Sequence, residues 1–380
     1  MEFRDLKRQY QALKPKVDSA VFSVFENADF ISGAMVSALE NRLAAYVGRK
    51  HCISCANGTD ALELMLKVFN IGAGDAIFVP NFTFFASGEV VCSAGAIPVF
   101  VEVREDTFNM DAEKLETAIV AVQKKGLLKP KAVIAVDLFG QTADYVAIEE
   151  VTQKYGLLLF EDAAQGFGAM QRNRRACAFG DMATTSFFPA KPLGCYGDGG
   201  AIFTDDDEKA ALLRSLVVHG KGSNKYDNIR IGCNSRLDTI QAAVLMVKMD
   251  AMEDYELDAV NRVANDYTTR LKALVKTPCT PEGMYQSWAQ YTILLQNETE
   301  RNEAAEFLKS VGIPTMVYYP VVMRAQKAFE GYEEHQVDHS SVSSFLTKCV
   351  LSLPMHPYLA REEIKSVCCA LEQALAKHRK

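Results

Sequence analysis

Lys191 lies in SFFPAKPLGCYGDGGA, residues 186–201, flanked by Pro189 and Pro192 and followed by four glycines, Gly194, Gly197, Gly199 and Gly200. The two prolines fix backbone angles and remove two amide donors, so the stretch makes a poor helix and a firm support. The glycines permit positive φ and let backbone approach a bound molecule closely. A lysine held there is suited to form a Schiff base with a carbonyl. Taken alone, the stretch also reads as an exposed lysine beside a glycine-rich turn.

Three further segments carry chemistry. LLLFEDAAQ ends an apolar strand on Asp162, which places a carboxylate at the carboxyl edge of a sheet, where α/β proteins bind ligands. An acid there can keep a pyridine nitrogen protonated, as pyridoxal chemistry requires, and it can equally cap a helix. CANGTDALELML reads as strand, glycine turn and helix. The first amides after Gly58, with the Thr59 hydroxyl, then face whatever lies beyond the sheet edge, and a dianionic phosphate suits them. The segment lacks P-loop spacing, which disfavours a nucleoside triphosphate. PNFTFFAS puts Phe84 and Phe85 just after another strand, where a flat ring can stack on a cofactor or simply pack in the core.

Other reactive residue types lead less far. Cys52 and Cys55 form a C-x-x-C without a second such pair and inside a strand pattern, so core packing is expected. His335 and His339 are four apart but lack the glutamate of H-E-x-x-H, and are read as surface residues. The ten cysteines are expected to be reduced thiols.

These residues need elements to hold them. From about residue 50 to 205, CISCA, AIFVP, IPVFVEV, AVIAVDLFG, LLLFEDA, ATTSFF and AIFTDD read as strands, mostly continuously apolar, with helical patterns between them. The expected fold class is α/β with a mainly parallel sheet. After Leu237 the pattern changes to long helices, then to strand candidates at AQYTILLQ and PTMVYYP and a last helix with Ile364, Val367, Cys368, Leu371 and Leu375 in register. The expected division is a large cofactor-binding unit, 1–250, with an N-terminal arm, and a small α+β unit, 251–380.

Lysine plus arginine number 41 against 48 aspartates and glutamates, a net charge of −7, and no basic block tracks a phosphate backbone. Nucleic acid is not an expected partner. The first twenty residues contain no sustained apolar run, so neither a signal peptide nor a membrane span is expected, and the expected location is cytoplasmic.

In this order, the four segments resemble the DegT/DnrJ/StrS family of nucleotide-sugar aminotransferases, from FRDLKRQYQALKPKV through LSLPMHPYL. The resemblance implies a fold-type I, pyridoxal 5'-phosphate-dependent enzyme. It makes Lys191 the Schiff-base lysine and Asp162 the pyridinium partner. It puts Gly58, Thr59 and Ser186 on the phosphate, Phe84 on the ring face and Gln165 on the ring hydroxyl. GCNSRLDTIQAA resembles a segment that the neighbouring subunit supplies, which implies a homodimer with Asn234 at the partner's phosphate and Arg236 at the sugar nucleotide. Tyr318 and Tyr319 match a segment near the substrate. Two departures, Ala34 for a usual proline and VVMRAQKAF without a histidine, fall on the substrate side.

L-glutamate is the implied donor and a keto-sugar nucleotide the acceptor. The expected acceptor is UDP-2-acetamido-2-deoxy-3-oxo-glucuronate, aminated at C3 on a route to surface polysaccharide such as the O-antigen of lipopolysaccharide. A uronate carboxylate needs a cation, for which Arg236 and Arg324 are candidates. The alternatives are another UDP- or dTDP-linked keto-deoxysugar, a dehydratase of the same fold, which Lys191 argues against, and a cofactor-binding sensor without turnover.

Overall fold

The structure is a computed structural model describing residues 1–224, 226–337 and 341–376; His339 lies outside them. Its strands are β1 (His51–Cys55), β2 (Asp75–Pro80), β3 (Ile97–Val101), β4 (Lys129–Val136), β5 (Leu158–Asp162), β6 (Met170–Gln171), β7 (Arg174–Arg175), β8 (Met182–Ser186), β9 (Gly200–Thr204), β10 (Met284–Tyr285), β11 (Tyr291–Leu294) and β12 (Val350–Leu353). Seven form one sheet in the order β1, β9, β8, β5, β4, β2, β3. The pairs from β3 through β8 are parallel, while β9 runs antiparallel to both β8 and β1.

The reversal at β9 follows from its connection. Parallel neighbours need a crossover, commonly a helix, and helices such as Gly58–Val68 and Ala86–Ser93 link the strands elsewhere in the sheet. Between β8 and β9 the proline- and glycine-rich Lys191 segment turns the chain straight back. Each of the seven apolar runs read as strands from the sequence contributes one strand of this sheet. Cys52 and Cys55 are buried on β1, and burial pushes both thiols up, away from the reactive thiolate.

Helix Gly58–Val68 starts at Asn57, whose side chain accepts from the Asp60 amide at 2.8 Å, and it buries Leu62, Met65 and Leu66 against the sheet. Helix Ala112–Lys125 is capped by Asp111 and ends at Gly126 with φ 66°, a conformation glycine adopts without a Cβ penalty.

After Asp238 one helical run continues from Thr239 to Leu271 through a π-helical turn at Met252–Glu256, so the expected division at 250 falls inside it. Beyond, β11 and β12 pair antiparallel, with Tyr291 opposite Leu353. Helices Leu257–Leu271, Glu298–Ser310 and Arg361–Leu375 cover them around Tyr267, Ile293, Leu308, Leu351 and Leu371. The five residues predicted to face inward from the last helix are all buried there.

PTMVYYP does not form the predicted strand. It makes one bridge, Met316 with Ser352, and Pro314 and Pro320 deprive both ends of ladder donors. Its tyrosines line the cleft described next. The N-terminal segment, expected only as an arm, is a 22-residue helix, Leu6–Asn27, whose Leu13 and Val17 pack on Val244, Val247 and Ala251. Ala34 is the first residue of helix Ala34–Val47 and donates its amide to Asp29 at 3.3 Å, a bond that proline cannot make. No helix among the described residues is long and apolar enough to cross a membrane.

Candidate active site

The carboxyl ends of β1, β2, β4, β5 and β8 meet at one edge of the sheet, and a cleft of about 680 Å³ opens there. Gly58, Thr59, Phe84, Asp162, Gln165, Ser186, Lys191, Tyr318 and Tyr319 all line it. Nine of the twelve residues given a site role from the sequence therefore converge, although they span 262 positions from Gly58 to Tyr319 counted inclusively.

The lysine loop is rigid for reasons visible in its bonds. The Lys191 amide donates to the Phe188 carbonyl at 2.8 Å, that of Cys195 to Phe187 at 2.7 Å, and that of Phe187 to Gly199 at 2.7 Å. A Cβ on Gly194 would lie 2.5 Å from the carbonyl oxygens of Phe188 and Pro189, so the chain closes on itself only with glycine there. The Lys191 side chain projects into the cleft wall. Burial brings its amine down to about 8, with Arg4 adding to the fall and Asp162 opposing it.

Asp162 is buried at the end of β5. Burial pushes its carboxyl up, but three influences hold the ionised form: the Ser87 hydroxyl, which donates to Oδ2 at 2.9 Å, the Ala164 amide, which donates to Oδ1 at 3.1 Å, and the Lys191 charge. Ser87 was not singled out in the sequence. The signal was its position three residues after Phe84, a hydroxyl in an otherwise apolar turn.

At the other end of the cleft, the first turn of helix Gly58–Val68 presses on β8 and β9. A Cβ on Gly58 would meet the Ser186 Cβ at 2.7 Å, and one on Gly200 would meet the Asn57 carbonyl oxygen at 2.4 Å. Helix amides and two hydroxyls, of Thr59 and Ser186, thus come together at a positive helix end.

Phe84 is 53% exposed on the cleft wall, its ring centroid 6.3 Å from that of Tyr319. Gln165 accepts from the Phe139 amide at 2.8 Å and donates to the Tyr319 hydroxyl at 3.0 Å. Burial pushes the Tyr319 phenol up, so it stays neutral. Gln290 also lines the cleft, and its side-chain oxygen is buried without a partner, an acceptor left for a bound molecule. It too was missed.

Asn234 and Arg236 do not line this cleft. Asn234 is exposed beside a bridge to Val218, and Arg236 borders a separate hollow with Glu40 and Arg214. His219 lines a third hollow with Lys221 and Arg230. Arg324 borders a surface groove near Phe329 rather than the cleft. His335 is half-buried, 3.3 Å from Glu334, rather than a free surface residue.

The cleft fits pyridoxal phosphate: a helix end crowded so that only glycine fits suits a phosphate, a buried carboxylate and a lysine whose amine burial brings down line the same cleft, and an aromatic wall matches a flat ring. A mixed seven-stranded sheet carrying this set at its carboxyl edge is that of a fold-type I pyridoxal-phosphate-dependent aminotransferase. The chain belongs to the DegT/DnrJ/EryC1/StrS aminotransferase family, whose description matches residues 11–372.

It is 43% identical over 372 residues to the UDP-2-acetamido-2-deoxy-3-oxo-D-glucuronate aminotransferase of Pseudomonas aeruginosa, covering 98% of this chain and 99% of that one. It is 40% identical over 365 residues, 94% of each chain, to a protein of Geobacillus stearothermophilus named pleiotropic regulatory protein. A crystal structure of a DegT DnrJ EryC1 StrS aminotransferase from Brucella abortus superposes with a TM-score of 0.95 at 46% identity, over 98% of this chain and 99% of that one.

Proposed function

We propose that the enzyme moves the amino group of L-glutamate to C3 of UDP-2-acetamido-2-deoxy-3-oxo-glucuronate. On this reading it works in the cytoplasm, on a route to surface polysaccharide such as lipopolysaccharide O-antigen. The observation that carries the choice of sugar is the 43% identity, over 98% of the chain, to an enzyme named for that substrate. Another UDP- or dTDP-linked keto-sugar is the alternative acceptor.

When bound, pyridoxal phosphate supplies a carbonyl carbon that carries the amino group and a ring that takes up charge. Lys191 holds the cofactor and then moves a proton from the donor Cα. An amine near 8 is deprotonated often enough around neutral pH to serve as that base and still return the proton as an acid. Asp162, whose ionised form the Ser87 and Ala164 hydrogen bonds favour, holds the ring nitrogen in its protonated form. The first-turn amides of Gly58 and Thr59, with the hydroxyls of Thr59 and Ser186, take the phosphate. Phe84 covers one ring face, and Gln165 reaches the ring hydroxyl with the amide hydrogen that it does not give to Tyr319. Tyr318 and Tyr319 border the substrate.

Asn234 and Arg236 serve the neighbouring subunit's cleft in a homodimer. Two features support this: they lie outside their own chain's cleft, and exposed apolar side chains, Ile229, Ile231, Phe30 and Ile31, lie near them in the chain or across the Ile31–Asp238 bridge. Such side chains in numbers mark an interaction surface.

The test is the absorbance of the purified protein before and after L-glutamate, with Lys191→Ala as control, followed by the UDP-keto-uronate. A visible band that glutamate converts and the sugar restores supports the reading; a band that no keto-sugar restores overturns the choice of acceptor. A second reading, a cofactor-binding regulatory protein, is favoured by the name of the 40% identical relative. It predicts a band that glutamate leaves unchanged.

A further inference from the structure

Arg4 lies just before the N-terminal helix, yet its guanidinium reaches beneath the cleft. Nη2 donates to the backbone carbonyl of Lys191 at 3.1 Å, and Nη1 points at the carbonyl of Ala289 at 3.5 Å, a long contact. Ala289 precedes Gln290, so the two acceptors belong to the two pieces of backbone that carry cleft residues from the large sheet and from the strand pair β11–β12. Among the described residues no carboxylate lies within 4.0 Å of Arg4, and burial lowers its affinity for the proton. Arg4 is half-buried; a cation drawn partly out of water without a paired anion is costly, and backbone carbonyls replace only part of its hydration.

The segment that delivers Arg4 is itself pinned. The Met355 amide donates to the Phe3 carbonyl at 3.1 Å, the Phe3 ring meets Tyr318 edge-on at 6.2 Å, and Asp5 caps the helix by accepting from the Arg8 amide at 2.9 Å.

We propose that Arg4 is a positioning residue for Lys191: its planar fork braces the Lys191 backbone against the Ala289–Gln290 wall and sets the lysine amine at its place in the cleft. This rests on Lys191 being the residue that holds the cofactor. The fork geometry is particular to arginine, since lysine carries the charge on a single flexible point.

The brace also acts through charge. The groups facing the Lys191 amine are Asp162, which favours its proton, and Arg4, which disfavours it. Around Arg4 stand Glu256 and Tyr318, with Lys248 and His356 feeling its charge in turn. Without Arg4, Lys191 keeps its proton to higher pH and its loop loses one anchor.

The experiment follows the incorporation of pyridoxal phosphate into apoenzyme by its visible band, from pH 6 to 10, in wild type, Arg4→Met, Arg4→Lys and Arg8→Met. Arg8 anchors the same helix through Glu363 on the surface and does not touch the lysine loop, so it controls for general loosening. Arg4→Met is expected to move the midpoint of incorporation alkaline by roughly half a unit or more and to slow it at pH 7.5. Arg4→Lys is expected to restore most of the midpoint but not the rate. An Arg4→Met profile matching wild type, or the same change in Arg8→Met, overturns the proposal. Failure of the underlying reading looks different: borohydride reduction and mass spectrometry would then find the cofactor on a residue other than Lys191, in wild type as in the variants.

Discussion

Ser87, in the helix that follows β2, donates a 2.9 Å hydrogen bond to Oδ2 of Asp162 at the end of β5, so the carboxylate on the cleft floor is held by a residue 75 positions earlier in the chain. Burial pushes the Asp162 carboxyl up, and the Ser87 hydrogen bond opposes that rise. Ser87→Ala removes one of the two hydrogen bonds that favour its ionised form, worth about 1 kcal/mol or somewhat more for a charged acceptor. The expected outcome is a several-fold to tenfold fall in kcat, with the acidic limb of the pH profile moved to higher pH. Ser87→Thr, which keeps the hydroxyl, should leave that limb in place. An acidic limb identical in wild type and Ser87→Ala would show that the bond does not tune Asp162.

Gly58 sits where a Cβ would be 2.7 Å from that of Ser186. Alanine is the better helix former, but here its Cβ would force the helix start away from β8, and overpacking costs more than the propensity gains. The melting temperature of Gly58→Ala should fall, and the folded apoenzyme should bind pyridoxal phosphate at least tenfold more weakly, as measured by titration. Unchanged cofactor affinity would mean that the phosphate does not use this turn.

Asp137 and Glu161 form a buried carboxyl pair behind the site. Asp137 Oδ1 accepts from the Ala143 amide at 3.0 Å and the Tyr145 hydroxyl at 2.8 Å, while its Oδ2 has no donor. Glu161 accepts from the amides of Cys177 and Phe179 at 2.6 and 2.8 Å. Burial pushes both up, and the Glu161 charge pushes Asp137 further, so a proton on Asp137 Oδ2 donated to Glu161 accounts for the orphan. The unfolded chain releases that proton near pH 4 and the folded chain holds it to higher pH, so this pair's contribution to stability falls as pH rises above 4, by up to about 1.4 kcal/mol per unit. Asp137→Asn supplies an amide donor that does not titrate. Its melting temperature relative to wild type should rise steadily from pH 5 to 8; parallel curves would overturn the shared proton.

Mixing two inactive variants tests the shared dimer. If Arg236 serves the partner's cleft, subunits carrying Lys191→Ala mixed with subunits carrying Arg236→Ala form hybrids with one intact site of two, and random exchange restores about a quarter of wild-type activity. If Arg236 serves its own chain, no hybrid holds an intact site and the mixture stays inactive.

Much of the site was legible because it is local. Lys191 between two prolines, Asp162 at a strand end and Gly58 between strand and helix each carry their geometry in neighbouring residues, and parallel strands bring their carboxyl ends to one edge whatever their order. The strand expected at PTMVYYP failed because alternation of apolar residues does not reveal that a proline at each end interrupts the ladder. The sequence by itself thus determined which lysine, which acid and which helix end come to the edge of the sheet, since backbone angles and element ends are set by adjacent side chains. Only the tertiary structure decided the partners. Ser87 on Asp162, Arg4 beneath Lys191 from 187 residues away, the burial of Asp137 beside Glu161, and the absence of Asn234 and Arg236 from their own cleft all depend on which distant elements the fold brings into contact, and no local pattern of spacing records that.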